Sequence, residues 1–142
     1  MASDLPNKLL LRVVSADRSL VNEQVDEVEV PGSEGYFGVL PGHTPLLALL
    51  GTGELWYRQG TEIHYLAICN GFAEVQPDAV NILAQIAEHA DEIDVARAEA
   101  AKRRAEERLA SDHPDMDYER ARIALMKAII RLQVAARAGV RG

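Results

Sequence analysis

Residues 31–53 read PGSEGYFGVLPGHTPLLALLGTG and carry six of the chain's ten glycines and three of its six prolines. Apolar residues stand between them: Phe37, Val39, Leu40, Leu46 and Leu47. Glycine reaches positive φ and lets backbones approach closely, whereas proline fixes φ and cannot donate to a sheet ladder. Both, recurring every few residues, mark short strands joined by tight turns at the rim of a sheet. The stretch lacks the single polar focus that catalysis needs.

The same punctuation continues on either side. Residues 9–14 are apolar apart from Arg12, and residues 25–30 alternate as V-D-E-V-E-V, with Val28 and Val30 on one face and Glu27 and Glu29 on the other. That is a period of two. Further short segments follow at 35–40, 46–50, 54–58, 63–69, 72–76 and 80–84, broken at Gly51-Thr52-Gly53, Gln59-Gly60, Asn70-Gly71 and Pro77-Asp78. Asn70-Gly71 between apolar runs predicts a β-hairpin. Eight or nine such strands, with no helical pattern among them, predict an antiparallel sandwich or flattened barrel.

The period changes near Ala90. Residues 93–110 and 117–138 contain neither Gly nor Pro and are rich in alanine, with Ser111-Asp112-His113-Pro114-Asp115 between them. This predicts two helices in an antiparallel hairpin. Its seams are Ala98, Ala101, Ala105 and Leu109 on the first helix, and Ala121, Leu125, Ala128, Leu132 and Ala135 on the second. Alanine buries far less area than the ~1.5–3 kcal/mol of a leucine, so this hairpin should open easily. The chain is thus α+β by segment, with a β-sandwich domain at 1–90 and a helical arm at 91–142.

With 142 residues, 48% apolar and 26% charged, the composition is that of an ordinary globular protein. The apolar runs are too short for a bilayer-spanning helix, and the N-terminus lacks a basic region followed by an apolar core. Cys69 sits in an apolar run and reads as a reduced core residue. The net charge of −7 conceals a division, because residues 1–91 hold 4 basic and 13 acidic side chains while residues 120–142 hold six basic ones and no acid. That terminal segment favours an anionic surface.

On the second helix, Arg120, Lys127 and Arg131 fall within about 40° of one another at ~100° per residue. A cationic line between apolar walls suits a phosphate chain; equally, it suits a solvated basic edge. Arg97 and Arg104 share a face of the first helix. Asp94 opens that helix and is first of all a helix cap, since M-D-Y-E-R-A at 116–121 echoes I-D-V-A-R-A at 93–98. His43, His64, His89 and His113 lack metal-ligand spacing, so no metal is expected. Neither G-x-S-x-G nor G-x-x-x-x-G-K-[ST] occurs, and no catalytic residue is expected.

Together, V-V-S-A at 13–16, G-x-x-G-x-L-P-G-H-x-P-L-L at Gly35, Gly38 and 41–47, N-G-F-A-E-V at 70–75 and I-D-V-A-R-A at 93–98 resemble the epsilon subunit of bacterial F-type ATP synthase. The resemblance covers residues 8–138. It implies a sandwich of about ten strands and a two-helix arm on the central rotor, a non-catalytic subunit clamping the gamma shaft to the c-ring for proton-driven ATP synthesis. It also implies a peripheral location on the cytoplasmic face of the bacterial inner membrane, held there only through the complex. Ser33, Glu34 and Tyr36 would face the c-ring and His43 would lie toward gamma. The arm would extend along gamma to touch acidic segments of the alpha and beta subunits, slowing ATP hydrolysis.

Some members of that family bind ATP as a regulatory ligand on the folded arm. The matching positions are Ile93, Asp94, Arg97, Arg104 and Arg131, while Lys127 stands where the binding members carry arginine, keeping the charge but losing the fork. Two other classes fit the pattern less well: a free-standing nucleotide sensor, and an adaptor whose basic helix binds nucleic acid. The acidic sandwich would repel a polyanion, which disfavours the adaptor, and no nucleic acid partner is expected.

Overall fold

Side chains along a strand alternate between faces, and the computed structural model, which describes residues 6–112, 114–115 and 117–140, contains seven strands. His113, Met116 and Arg141, used in the sequence reading, lie outside the described residues. The strands are β1 (Leu9–Val14), β2 (Ser19–Val25), β3 (Glu27–Gly32), β4 (Gly35–Val39), β5 (Leu46–Gln59), β6 (Glu62–Val75) and β7 (Ala79–His89). A 3₁₀ turn at Ala90–Glu92 leads to α1 (Val95–Leu109) and α2 (Tyr118–Val140). The chain divides into two compact units, Met1–His89 and Ala90–Gly142.

In the first unit the sheet order is β2-β1-β7-β6-β5-β3-β4. Neighbours pair antiparallel except β1 and β7, which run parallel. A single sheet makes two layers because it creases. In β5 the core residues pass from Leu50 to Leu55 and Tyr57, in β6 from Leu66 and Ile68 to Ala73 and Val75, and in β7 from Val80, Ile82 and Ala84 to Ala87. Each strand changes from even to odd numbers. The ladders do not slip meanwhile, for Leu50 opposes Gly71, Gly71 opposes Ala84, Thr52 opposes Cys69 and Cys69 opposes Ile86. The level both ladders skip is Gly51, Asn70 and Gln85.

Asn70 and Gly71 have φ of 56° and 127°, and Asn70 Nδ2 donates to Gln85 Oε1 at 3.3 Å. Two successive positive φ values reverse the pleat and bend the strand, so the alternate residues face the same core on both sides of the bend. The expected hairpin at Asn70-Gly71 is therefore a crease within β6. The same bend joins segments 46–50 and 54–58 into β5, which is why seven strands replace the eight or nine read from the pattern and the ten implied by resemblance. The polar edge strand β2, with only Val21 and Val25 buried, escaped the pattern altogether.

Elsewhere the turn chemistry is as read. Leu40-Pro41-Gly42-His43 is a turn closed by His43 N–H to Leu40 O at 3.1 Å, with Gly42 at φ 88° following proline, the arrangement of a type II turn. The β2–β3 corner is tied to the β5–β6 hairpin by Asp26, which accepts from the Gly60 N–H at 2.6 Å and pairs with Lys8 and Arg58. The Lys8 hydrogen bond, then the Gly60 N–H, hold its carboxyl below the usual carboxylate range.

In the second unit α1 packs on α2, and α2 also touches the 3₁₀ turn that precedes α1, so the helices run antiparallel. Ala98, Ala105, Ala121 and Ala128 are buried, as the seams require, and so is Val134 further along α2. Both helices start alike. Asp94 Oδ1 accepts from Arg97 N–H and Asp117 Oδ1 from Arg120 N–H, each at 3.0 Å.

A Cβ added at Gly71 would stand 1.9 Å from the Leu83 carbonyl oxygen, whereas at Gly38 it would meet nothing within 4 Å. Gly71→Ala is expected to cost about 3 kcal/mol or more, and Gly38→Ala less than about 0.5 kcal/mol, in urea unfolding. Equal stabilities for the two variants would remove the crease from the account.

Candidate functional site

A strand cannot turn two consecutive apolar residues to one core, so Leu49-Leu50 and Ile82-Leu83 each place one member outside. Leu49 pairs with Phe72 and Phe72 with Leu83. The three form one row across the outer face of β5, β6 and β7, with exposures of 58%, 51% and 56%. Val14, opposite Leu83 on β1, extends the row. The next row is polar: Arg12 donates to Asn81 Oδ1 and Asn81 to Glu74 Oε1, at 3.4 and 3.3 Å, with the exposed Leu47 at its end. An apolar row beside a hydrogen-bonded polar one is the arrangement a docking face requires. Period alone does not reveal this row; its sequence signal is the doubled apolar residues Leu49-Leu50 and Ile82-Leu83, one member of which cannot face the core.

The β3–β4 turn borders this face. Ser33 and Glu34 are the exposed tip, and Ser33 N–H donates to Leu49 O at 2.8 Å. A groove of about 460 Å³ runs between the turn and β5, lined by Gly32, Glu34, Phe37, Leu46, Leu47 and Leu49 among others. Tyr36 follows on β4, its hydroxyl accepting from the Glu54 N–H at 3.1 Å. His43 is half-buried, and its Nδ1–H donates to Thr44 O at 2.6 Å, which fixes the proton on Nδ1. The Gly42 N–H to Pro77 O bond of 2.7 Å secures the His43 turn to the β6–β7 loop. Ser33, Glu34, Tyr36 and His43 thus sit on the strands and turns that frame the apolar row.

The nucleotide candidates sit in the second unit. Ile93 is buried and Asp94 caps α1. Arg97 and Arg104 are exposed and have no side-chain partner among the described residues, while Lys127 and Arg131 are half-buried on α2. The hairpin brings the two pairs onto adjacent helices. Among the described residues no group of three or more His, Cys, Asp or Glu side chains converges, and Cys69 is a buried free thiol. None of their helices is long and apolar enough to cross a membrane.

A creased sheet with an apolar docking face, followed by a separately folded helical hairpin, defines a two-domain interaction subunit. The first part, residues 8–90, matches the beta-sandwich domain of the ATP synthase delta/epsilon chain, and residues 91–136 match its long alpha-helix domain. The ATP synthase epsilon chain 2 of Syntrophotalea carbinolica is 48% identical over 136 residues, spanning 95% of this chain and 99% of the relative. The epsilon chain of Syntrophobacter fumaroxidans is 49% identical over 131 residues, 92% of this chain and 98% of the relative. A chain of the Euglena gracilis mitochondrial ATP synthase, in a structure of its OSCP, F1 and c-ring, superposes with a TM-score of 0.79 at 25% identity, covering 96% of this chain and 84% of that one. The chain belongs to the ATP synthase delta/epsilon family and is a non-catalytic stalk subunit of that complex.

Proposed function

We propose that this subunit couples the gamma shaft to the c-ring on the cytoplasmic face of the bacterial membrane, with the row Leu49, Phe72 and Leu83 bedded on gamma and the Ser33-Glu34 tip against the ring. The exposed apolar row carries the reading. A torque-bearing contact needs apolar area in a frame that does not yield, and the centre of a creased sheet offers both. The His43 turn lies on the gamma side. Because the row faces outward, removing it leaves the core intact. Leu49→Ser with Phe72→Ser is expected to unfold within about 0.5 kcal/mol of the parent per site, and to bind purified gamma roughly a hundredfold more weakly. Undiminished affinity refutes this placing of gamma.

The helical unit serves as the regulatory arm, its acid-free segment from Arg120 onward complementary to acidic segments of the alpha and beta subunits, where its docking slows ATP hydrolysis. Arg97 and Arg104, exposed without partners among the described residues, with Lys127 and Arg131 on the neighbouring helix, support weak ATP binding to the compact hairpin. Bound ligand at ten times its dissociation constant adds about 1.4 kcal/mol to the state it binds, enough to hold a thin alanine seam closed. Calorimetry of the full chain is expected to show ATP binding that Arg97→Ala and Arg131→Ala each weaken. No heat at millimolar ATP, or equal binding by the variants, contradicts it.

A further inference from the structure

The β3–β5 ladder contains a gap that one side chain fills. Glu29 opposes Trp56, but the next pair is Gly32 with Leu50, so two residues of β3 face five of β5. Pro31, within the gap, has no N–H to give. On the β5 side the Glu54 N–H is satisfied by the Tyr36 hydroxyl at 3.1 Å. Tyr36 reaches it from β4, where it pairs with Pro31 and stands next to the turn. The way is kept clear by Gly53: a Cβ there would lie 2.5 Å from the Tyr36 hydroxyl oxygen and 2.7 Å from Pro31 Cβ. Glu54 itself is buried, 6% exposed, so its N–H lies on a stretch where an unmet donor is costly.

We propose that the Tyr36 hydroxyl is a latch that holds the turn at residues 33–35 in one geometry, which makes Tyr36 a positioning residue for docking of that turn. Glycines at positions 32 and 35 make the turn pliable; the Ser33 N–H to Leu49 O bond and the Gly32–Leu50 pair tie its β3 arm to β5, and the Tyr36 hydroxyl ties its β4 arm. With the latch closed, the Ser33-Glu34 tip and the groove wall formed by Phe37 keep a fixed relation to Leu47 and Leu49. The docking half of this inference rests on the c-ring reading of the turn; the latch does not.

Tyr36→Phe keeps the ring and removes the acceptor. By NMR on the full chain, the Glu54 amide is expected to exchange roughly five- to tenfold faster, one ordinary hydrogen bond's worth, and order parameters at residues 33–35 to fall. Unchanged Glu54 exchange, or a turn as rigid as before, overturns the latch. Docking is then measured on a purified gamma and c-ring complex. Tyr36→Phe and Glu34→Ala should each weaken it, and the double variant no more than the stronger single, as for two residues acting through one turn. Additive losses, or a loss with Glu34→Ala alone, overturn the positioning role. If neither variant weakens docking while Glu54 exchange rises, the c-ring reading of the turn fails and the latch stands.

Discussion

The positive φ values of Asn70 and Gly71 are the constraint from which the rest of the sandwich follows. A flat seven-stranded sheet of this length would leave one apolar face in water. Reversing the pleat at one level of β5, β6 and β7 folds the sheet on itself, so Leu50, Ala73 and Ile82 reach the same core as Leu55, Leu66 and Ala87. Gly71 is indispensable at the crease because the Leu83 carbonyl occupies the space a side chain would need. Once the inner phase is fixed, the outer phase is too. Leu49, Phe72 and Leu83 can only point outward, and the exposed apolar row is a geometric consequence of the crease.

The helical unit is built on a different principle. Its two helices begin with the same device, an aspartate accepting from the N–H three residues on, and they meet through alanines. Caps of this kind are worth ~0.5–2 kcal/mol and act within each helix, whether or not the two are together. The seam acts only between them and buries little. Such a pair keeps its helicity while the contact between the helices stays weak, which suits the regulatory role proposed for the arm. Rigidity and pliability are thus assigned to separate units by residue size along the chain.

Period and punctuation made much of this legible. The change from a period of two to an alanine-rich helical pattern near Ala90 located both helices, and the repeated Asp-x-x-Arg-Ala identified their starts. The Pro41-Gly42 turn was equally plain, since only one turn type takes that pair comfortably. Asn70-Gly71 misled because a hairpin and a crease ask for the same positive φ. They differ in whether the flanking segments pair with each other or continue in line, and that is decided by β5 and β7, distant in sequence. For Tyr36 the resemblance implies a contact residue; its hydroxyl lies against the Glu54 N–H, a partner 18 positions away that no local pattern announces. The apolar row was visible only as doubled residues whose partners on neighbouring strands were unknown. The resemblance to the epsilon subunit supplied the family and left these local geometries to the structure.

Hydroxyl-radical footprinting of this subunit, free and assembled with gamma, measures the central claim side chain by side chain. The account predicts that Leu49, Phe72 and Leu83 react readily in the free chain and become protected together on assembly. Reactivity of all three that is the same in both states, with protection confined to other faces of the sandwich, would contradict it.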